Sequence, residues 1–536
     1  MVIKCIPWHH LGTSNRLDGS LSKMDLGPRK NSRNSLMIQF FTWDTLHPNM
    51  SWWAHFEQEV PNLADLGVTQ VWLPPPNKAT HQLGQGYDAY DLWDLGEFEQ
   101  KGSVSTRWGT KQELLRAISV AKANGIDVMI DAVLNHKLGA DRVETFLAVR
   151  VDSDNRLKDL GPVTEINGWT AFDFPGRAGK YSSMRWNHEH FTAGLDWDDR
   201  SRTQGIYRIA GDSNKKWSPN VDKEFGNYDY LLGVDIDHRH PDVRKDLVNW
   251  ADWVLGTTGA TGFRLDAIKH MDRRFLSDWI RRVRQGPKRS RAFIVGEYWS
   301  GNVKLILSYI RAFKGQLAFF DVPLHSNFHE ASQRGPKYDL RRILDASVLK
   351  ARPGDAVIFQ IGQTLQSWVC QAICVQFYAL NPLQVDSNFK LQAYALILLR
   401  GEGHPCVFYG DLYPNHECYD EHTARGLRVL MRIRKQFAHG SLREYLHHPN
   451  CIGFVRTGDP EHGGGCVVVI SNARPEARTN DHSHLIRMNV GPHHTSTAYV
   501  GAFAPFARVD ITKDGWGFFS CQPGSIQVWT LIDPEP

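Results

Sequence analysis

No stretch of the sequence approaches the ~18 consecutive apolar residues of a membrane span, and the first twenty residues, MVIKCIPWHHLGTSNRLDGS, hold no apolar run long enough for a signal peptide. A membrane partner is therefore not expected, and a soluble cytoplasmic protein is. Neither sign of charge is in excess. The 62 Lys and Arg against 58 Asp and Glu leave a net charge of +4, with acids and bases interspersed, which argues against nucleic acid as a partner. Cysteine is sparse, with 8 in 536 residues. Cys370 and Cys374 are spaced C-x3-C but lack a second pair at zinc spacing, so neither a zinc module nor a disulfide framework is expected. Aromatic residues, by contrast, are plentiful: 18 Trp, 16 Tyr and 26 Phe. They either fill a large core or line a groove for flat or sugar-like ligands.

Short apolar runs alternate with helical patterns, as in a parallel sheet with crossover helices. The runs are SLMIQFF (35–41), VTQVWLPPP (68–76), DVMIDAVL (127–134), GFRLD (262–266), AFIVGE (292–297), LAFFDV (317–322), AVIF (356–359) and PCVFYG (405–410). Thr110 and Glu113 form a capping box that opens a helix running to Gly125. Pro241 opens another, with Val243, Leu247, Trp250 and Val254 on one face, ending at Gly256. Eight strands, each followed by a helix, predict an α/β fold, a (β/α)8 TIM barrel, over 35–136 and 234–440. Residues 137–233 lack the alternation and are too many for a structureless loop, so they are expected to form an inserted subdomain after strand 3. From 441 to 536, Gly-punctuated alternating runs such as GGCVVVISN and GSIQVWTLI predict a C-terminal antiparallel β-sandwich. Residues 1–34, polar and rich in Gly, Ser and Arg, are expected to be a flexible lead-in.

In a barrel, polar residues at the C-terminal ends of strands are candidates for the active site. Strand 3 ends in Asp131, Asn135 and His136. Strand 4 ends in Arg264, Asp266, Lys269 and His270. Strand 5 ends in Glu297, Tyr298 and Trp299. A lone charge at one strand end is commonly a structural ion pair. Carboxylates on two adjacent ends suit glycoside hydrolysis, one as nucleophile and one as proton donor. Arg264 lies on the same face as Asp266 and would hold it ionised. Glu297, between Val295 and Trp299, sits in a setting that raises a carboxyl pKa. Adjacent strands keep the two groups close enough for a retaining mechanism.

The segments DAVLNH (131–136), GFRLDAIKH (262–270) and GEYW (296–299) resemble the first three sequence regions of the α-amylase family of glycoside hydrolases. GYDAYDLWDLGEF (86–98), GNYDYLLGVDIDHRHPDV (226–243), FDVPLH (320–325) and GHPCVFYG (403–410) extend the resemblance over about 35–440. They narrow it to the branch that holds bacterial liquefying amylases and intracellular fungal amylases. The resemblance implies retaining, endo-acting hydrolysis of α-1,4-glucosidic bonds, with an α-glucan polysaccharide or a maltooligosaccharide as substrate. It makes Asp266 the nucleophile, Glu297 the general acid/base and Arg264 the partner of Asp266. Tyr87 and His136 would contact the sugar at the cleavage subsite, and Lys269, His270 and Trp299 the leaving glucan. Asn135, Asp229, Asp235 and the His270 carbonyl match the family's structural Ca²⁺ site, an all-oxygen set of the kind that ion prefers. Ser218 replaces a further metal ligand of bacterial relatives, so no second metal is expected.

One family region is missing. The pattern Phe-Val-Asp-Asn-His-Asp-Thr, which follows strand 7 in relatives, is absent: Phe359 runs at once into QIGQTLQSW. About six residues are lost, including the third catalytic carboxylate and a sugar-binding His, while 370–390 is longer than the family pattern. Either the gene model carries wrong splice boundaries or the chain has truly lost part of its catalytic apparatus. Three functions follow: an α-amylase-type hydrolase, a 4-α-glucanotransferase of the same fold, or a non-catalytic α-glucan-binding homologue.

Overall fold

A computed structural model of the chain describes residues 34–194, 197–198, 201–211, 216–286, 289–290, 292–360, 384–474, 484–494 and 497–531. Eight short parallel strands close into a barrel in sequence order: β1 (Met37–Gln39), β2 (Gln70–Trp72), β3 (Asp127–Ala132), β4 (Gly262–Leu265), β5 (Phe293–Gly296), β6 (Ala318–Phe320), β7 (Ala356–Phe359) and β8 (His404–Phe408). Parallel strands are covered on both faces, so they read as unbroken apolar runs rather than alternating ones. In β7 all four residues are buried. Register is fixed all the way round, from Met37 opposite Gln70 to Met37 opposite Cys406.

Among the described residues, eight helices longer than one turn surround the barrel: α1 (Trp52–Asp65), α2 (Lys111–Ala123), α3 (Pro241–Thr258), α4 (Arg273–Gln285), α5 (Val303–Phe313), α6 (Val322–Arg334), α7 (Ser387–Leu399) and α8 (Glu421–Gln436). The capping box of α2 is present in both halves, with the Thr110 hydroxyl facing the Glu113 N–H and the Glu113 carboxylate accepting from Thr110 N at 2.7 Å. α3 begins at Pro241 as expected but passes Gly256 and ends at Thr258, where Gly259 takes the left-handed conformation (φ 77°) that a helix C-cap favours. A glycine inside a helix costs only about 1 kcal/mol, and the apolar face of α3, with Val254 and Leu255 buried, continues past it.

Between β3 and α3 the chain builds a six-stranded antiparallel sheet. Its spatial order is His136–Lys137, Val234–Ile236, Phe191–Gly194, Ile206–Ile209, Arg142–Val151, Thr164–Ala171. The sheet starts on the residue after Asn135, so the insertion hangs directly from the β3 end of the barrel mouth. After α8 the chain forms a second antiparallel region of six strands and a further pair, packed over Val467, Val469, Met488, Phe519 and Trp529. A buried arginine joins this region to the barrel: Arg456 donates to the carbonyls of Leu399 and Gly440. Within the barrel, Arg434 of α8 donates to those of Leu398 and Ser35. The expected lead-in 1–34 lies outside the described residues, save Asn34, whose amide donates to the carbonyls of Arg434 and Ala438.

Barrel closure brings β4 and β5 so close that a Cβ on Gly262 would sit 2.1 Å from the carbonyl oxygen of Phe293, its partner in register. Gly262→Ala is therefore expected to destabilise the chain by about 3 kcal/mol, lowering the thermal midpoint by several degrees. A midpoint within about 1 °C of the parent would overturn this account of the strand contact.

Candidate active site

Side chains alternate faces along a strand. With Phe263 and Leu265 packed in the core, Arg264 and Asp266 take the opposite direction, into the barrel mouth. Arg264, 4% exposed, is the centre of the site. Its Nη1 donates to Asp131 Oδ1 at 2.8 Å and to Asp266 Oδ1 at 2.6 Å, and its Nη2 pairs with Glu297 Oε2 at 2.7 Å. The guanidinium plane also lies over the rings of Trp72, at 4.9 Å, and Tyr87, at 5.7 Å. Asp131 is held further by Trp72 Nε1 (2.9 Å) and the Tyr87 hydroxyl (2.7 Å), both donating to Oδ2. Just past Asp266 the chain turns sharply. Ala267 has φ 50°, a left-handed conformation that costs a residue with a Cβ roughly 1–2 kcal/mol. In that conformation its N–H donates to Glu297 Oε2 at 3.2 Å.

One cation among three buried carboxylates leaves excess negative charge, so a proton must be retained. Burial pushes the Glu297 carboxyl above the usual range; Arg264 opposes this, and the neighbouring Asp266 reinforces it. Asp266 is also pushed upward by burial, against the pull of Arg264 and with the repulsion of Asp131. The expectation that Arg264 alone keeps Asp266 ionised thus needs correction, because its single charge is divided among three acceptors. The contact between the two carboxyl groups acts in opposite senses, raising Glu297 and lowering Asp266. Both acids are held above the usual carboxylate range. One guanidinium reaches both, at 2.6 Å and 2.7 Å, so they stand side by side across adjacent strands.

The other sugar-site candidates fall around this centre. Tyr87 stacks on Trp43, with ring centroids 5.4 Å apart and planes 9° from parallel. His136 Nε2 lies 2.9 Å from the Tyr87 carbonyl, so the ring carries its proton there, and burial lowers its pKa to about 4. Its Nδ1 is buried without a hydrogen-bond partner. Trp299 is half-buried and lines the same depression as Arg264, Glu297, Trp72 and Phe359. Lys269 and His270 turn toward the inserted subdomain instead. Lys269 pairs with Glu224, and His270 Nδ1 lies 2.8 Å from the Tyr228 carbonyl.

At the end of β7 the mouth is walled by Phe359, its ring stacked on His325 at 5.2 Å. Gln360 does not supply a charge there. Its amide donates to Asp411 Oδ2 (3.0 Å), and Asp411 is also bound by the Tyr394 hydroxyl (2.8 Å) and Lys390 (2.5 Å). The segment from Ile361, including most of the lengthened 370–390 stretch, lies outside the described residues. Asp355 pairs with Arg352 at the N-terminal end of β7, and Asp386, at the N-cap position of α7 without a side-chain capping bond, accepts from Gln333. Neither reaches the mouth.

A second cluster joins the barrel to the insertion. Asp229 and Asp235 are both buried, and Asn135 Nδ2 donates to Asp235 Oδ1 at 3.4 Å. Burial raises the Asp229 carboxyl to about 7, with Asp237 adding to it, and pushes Asp235 up strongly, with Asp229 adding to that. Asn135 Oδ1 is buried with no hydrogen-bond partner. Two crowded carboxylates and an orphaned amide oxygen fit a hard divalent cation such as Ca²⁺. Ser218 donates its hydroxyl to Asp272 and its N–H to Asp229. Sequence reasoning assigned no role to Asp131, Trp72, Trp43 or Glu224. Asp131 had a signal, an acid inside a buried parallel strand, but its partners come from three separate segments.

A (β/α)8 barrel with an Arg-bridged pair of carboxyl groups on β4 and β5 defines a carboxylate-pair glycosidase. The family description "Alpha amylase, catalytic domain" matches residues 56–423. Among curated relatives, the alpha-amylase of Geobacillus stearothermophilus is 38% identical over 504 residues, covering 92% of this chain and 87% of the relative. The cytoplasmic alpha-amylase of Escherichia coli K12 is 38% identical over 520 residues, covering 93% and 99%. The solved alpha-amylase of Geobacillus thermoleovorans, complexed with acarbose, shares the fold with a TM-score of 0.59 at 17% identity, covering 94% of this chain and 99% of that one. The chain belongs to the alpha-amylase family of glycoside hydrolases.

Proposed function

We propose that the chain hydrolyses internal α-1,4-glucosidic bonds of starch, glycogen or a related α-glucan with retention of configuration. The observation that carries this reading is the Arg264 guanidinium, which bridges Asp266 at 2.6 Å and Glu297 at 2.7 Å; we assign the proton to Glu297. In the first step Asp266 attacks the anomeric carbon while Glu297 gives its proton to the departing glycosidic oxygen. This leaves a glycosyl ester on Asp266 and a free 4-hydroxyl on the leaving glucan. In the second step Glu297, now ionised, takes a proton from water as the water displaces Asp266. Tyr87, backed by Trp43, offers a flat face to the sugar, and the Nδ1 of His136 offers an acceptor to a hydroxyl. Trp299 lines the side on which the leaving glucan departs, whereas Lys269 and His270, which the family resemblance assigns there, are engaged by Glu224 and Tyr228. Calcium, held by Asn135, Asp229, Asp235 and the His270 carbonyl, would neutralise the two buried acids and tie the insertion to the barrel. Among the described residues no helix is long and apolar enough to cross a membrane. The naming of the E. coli relative as cytoplasmic supports a cytoplasmic setting for this chain. Relatives at 36–38% identity come from Geobacillus, Bacillus and Escherichia coli, and a place near intracellular fungal amylases rests on the sequence resemblance.

The chain as written lacks the β7 carboxylate, and a slow enzyme is the reading we favour. A carboxylate gripping sugar hydroxyls contributes several kcal/mol as the ring flattens; losing ~3–5 kcal/mol slows a reaction roughly 10²–10⁴-fold. Asp131 cannot take over, since Trp72, Tyr87 and Arg264 already occupy it. Inserting Val-Asp-Asn-His-Asp-Thr after Phe359 and trimming 370–388 is expected to raise kcat on soluble starch by that factor. Equal rates for the two chains would remove the impairment.

Glu297→Gln is expected to lose most hydrolysis of natural glucans and far less of an aryl glycoside with a good leaving group, which needs little protonation. Asp266→Asn is expected to abolish both. Equal losses on both substrates in Glu297→Gln, or residual turnover in Asp266→Asn, would reverse the assignments.

Removing calcium with excess chelator is expected to lower the thermal midpoint, since an ion bound only by the folded state stabilises it by mass action. Asp235→Asn is expected to abolish that dependence. A midpoint insensitive to chelator in the parent chain would refute the site.

A further inference from the structure

The flat face that Tyr87 offers to the sugar is backed by Trp43, and Trp43 lies in the segment after β1, which is neither helix nor strand. With no ladder of its own, residues 42–45 take their place from neighbouring loops. Two of these grip them from opposite sides. From the segment that follows β8, Glu417 Oε1 accepts from the Thr42 hydroxyl and, at 3.0 Å, from Asp44 N. The Trp43 backbone donates to the same carboxylate. From the segment before α2, Arg107 Nη2 donates to the Asp44 carbonyl at 2.9 Å, and its Nη1 to the Leu83 carbonyl at 2.7 Å. Leu83 stands four residues before Tyr87, so Arg107 ties the Trp43 segment to the Tyr87 segment, and Glu417 ties it to the β8 side of the mouth.

Glu417 is itself firmly placed. Asn415 Oδ1 accepts from Glu417 N and Cys418 N, each at 2.9 Å, and the Asn415 amide donates to the Gly410 carbonyl at 2.7 Å. Lys390, on α7, donates to the Cys418 carbonyl at 3.2 Å and to Asp411 Oδ1 at 2.5 Å. The turn that presents Glu417 is therefore anchored to a buried ion pair. A chain of fixed contacts runs from Lys390 through the turn and Glu417 to the segment that carries Trp43.

A half-buried carboxylate is costly in that place. Burial pushes the Glu417 carboxyl above the usual range, and the donors of Thr42, Asp44 and Trp43 pull it back. Both bonds from Thr42 and Asp44 end on one oxygen, Oε1, so the reach of the side chain matters more than its charge. Aromatic stacking is sensitive to offset and tilt, and a binding group holds its geometry only when the residues behind it are locked by hydrogen bonds of their own.

We propose that Glu417 is a positioning residue for glucan binding: it fixes residues 42–45 so that the Trp43 ring stands parallel to Tyr87 and sets the plane on which the sugar stacks. It acts through Trp43. The inference rests on the α-glucan reading given above and adds a determinant of affinity to it.

The test measures binding without turnover, by calorimetric titration of maltohexaose into full chains that carry Asp266→Asn, in excess Ca²⁺. Glu417→Asp keeps the charge and withdraws the oxygen by one methylene, whereas Glu417→Gln keeps the oxygen and removes the charge. Glu417→Asp is expected to weaken binding about tenfold and Glu417→Gln less than about threefold, within the ~10²-fold that a misplacement of ~1 Å can cost. Trp43→Ala is expected to weaken binding as well, and adding Glu417→Asp to it to change the affinity by less than about twofold more, since residues that act through one another are not additive. A role in stability alone would give the same loss with and without Trp43. Parent-like binding by Glu417→Asp, an equal loss in Glu417→Gln, or an undiminished loss in the Trp43→Ala chain would overturn this inference alone. No binding of maltohexaose by the chain with Glu417 intact would overturn the proposed function, and this inference with it.

Discussion

The arrangement of the barrel mouth depends on one buried guanidinium. Arg264 is the only positive charge in contact with Asp131, Asp266 and Glu297 among the described residues, and each of those acids comes from a different strand end. Without it, three carboxylates would share a desolvated space, a state in which protonation wins over charge. With it, the deficit is small enough for one proton to satisfy. The guanidinium's three contacts, at 2.6, 2.7 and 2.8 Å, divide its charge almost evenly among the acids.

The rest of the fold holds that division in place. Register between β3 and β4 sets Arg264 opposite Asp131, and register between β4 and β5 sets it opposite Val295, two residues before Glu297. Close approach at Gly262 brings β4 against β5, and the left-handed Ala267 aims a backbone N–H at Glu297. The inserted sheet begins immediately after Asn135, so the two buried acids it contributes stand beside the strand that carries Asp131. A cation between them would fix the insertion relative to the catalytic strands without touching the sugar.

At the β7 end, Phe359 and Gln360 stand beside Trp299 as an apolar wall and a neutral amide, and Asp411, the acid that Gln360 contacts, is committed to Lys390, Tyr394 and Gln360. The barrel closes without the lost motif because strand pairing needs only the four apolar residues of β7. Folding and catalysis thus place separate demands on the same strand: its body carries the first and its end the second.

The barrel was legible in the sequence because parallel strands announce themselves as short apolar runs and because Thr110, Glu113, Pro241 and the three prolines after β2 punctuate the elements locally. Asp266, Glu297 and Arg264 were legible for the same reason, as charges where a buried strand tolerates none. The family resemblance then supplied roles for Tyr87, His136 and the calcium set. The part played by Asp131, the stacking of Trp43 on Tyr87 and the pairing of Lys269 with Glu224 were not legible. Each joins residues 44 to 133 positions apart, or lies in a loop with no periodic pattern. The sequence by itself determined which side chains can ionise and which strands must be buried. How far a single positive charge must stretch was decided only when closure of the barrel set three carboxylates around it, because electrostatic interaction depends on distance and burial, and neither is written along the chain.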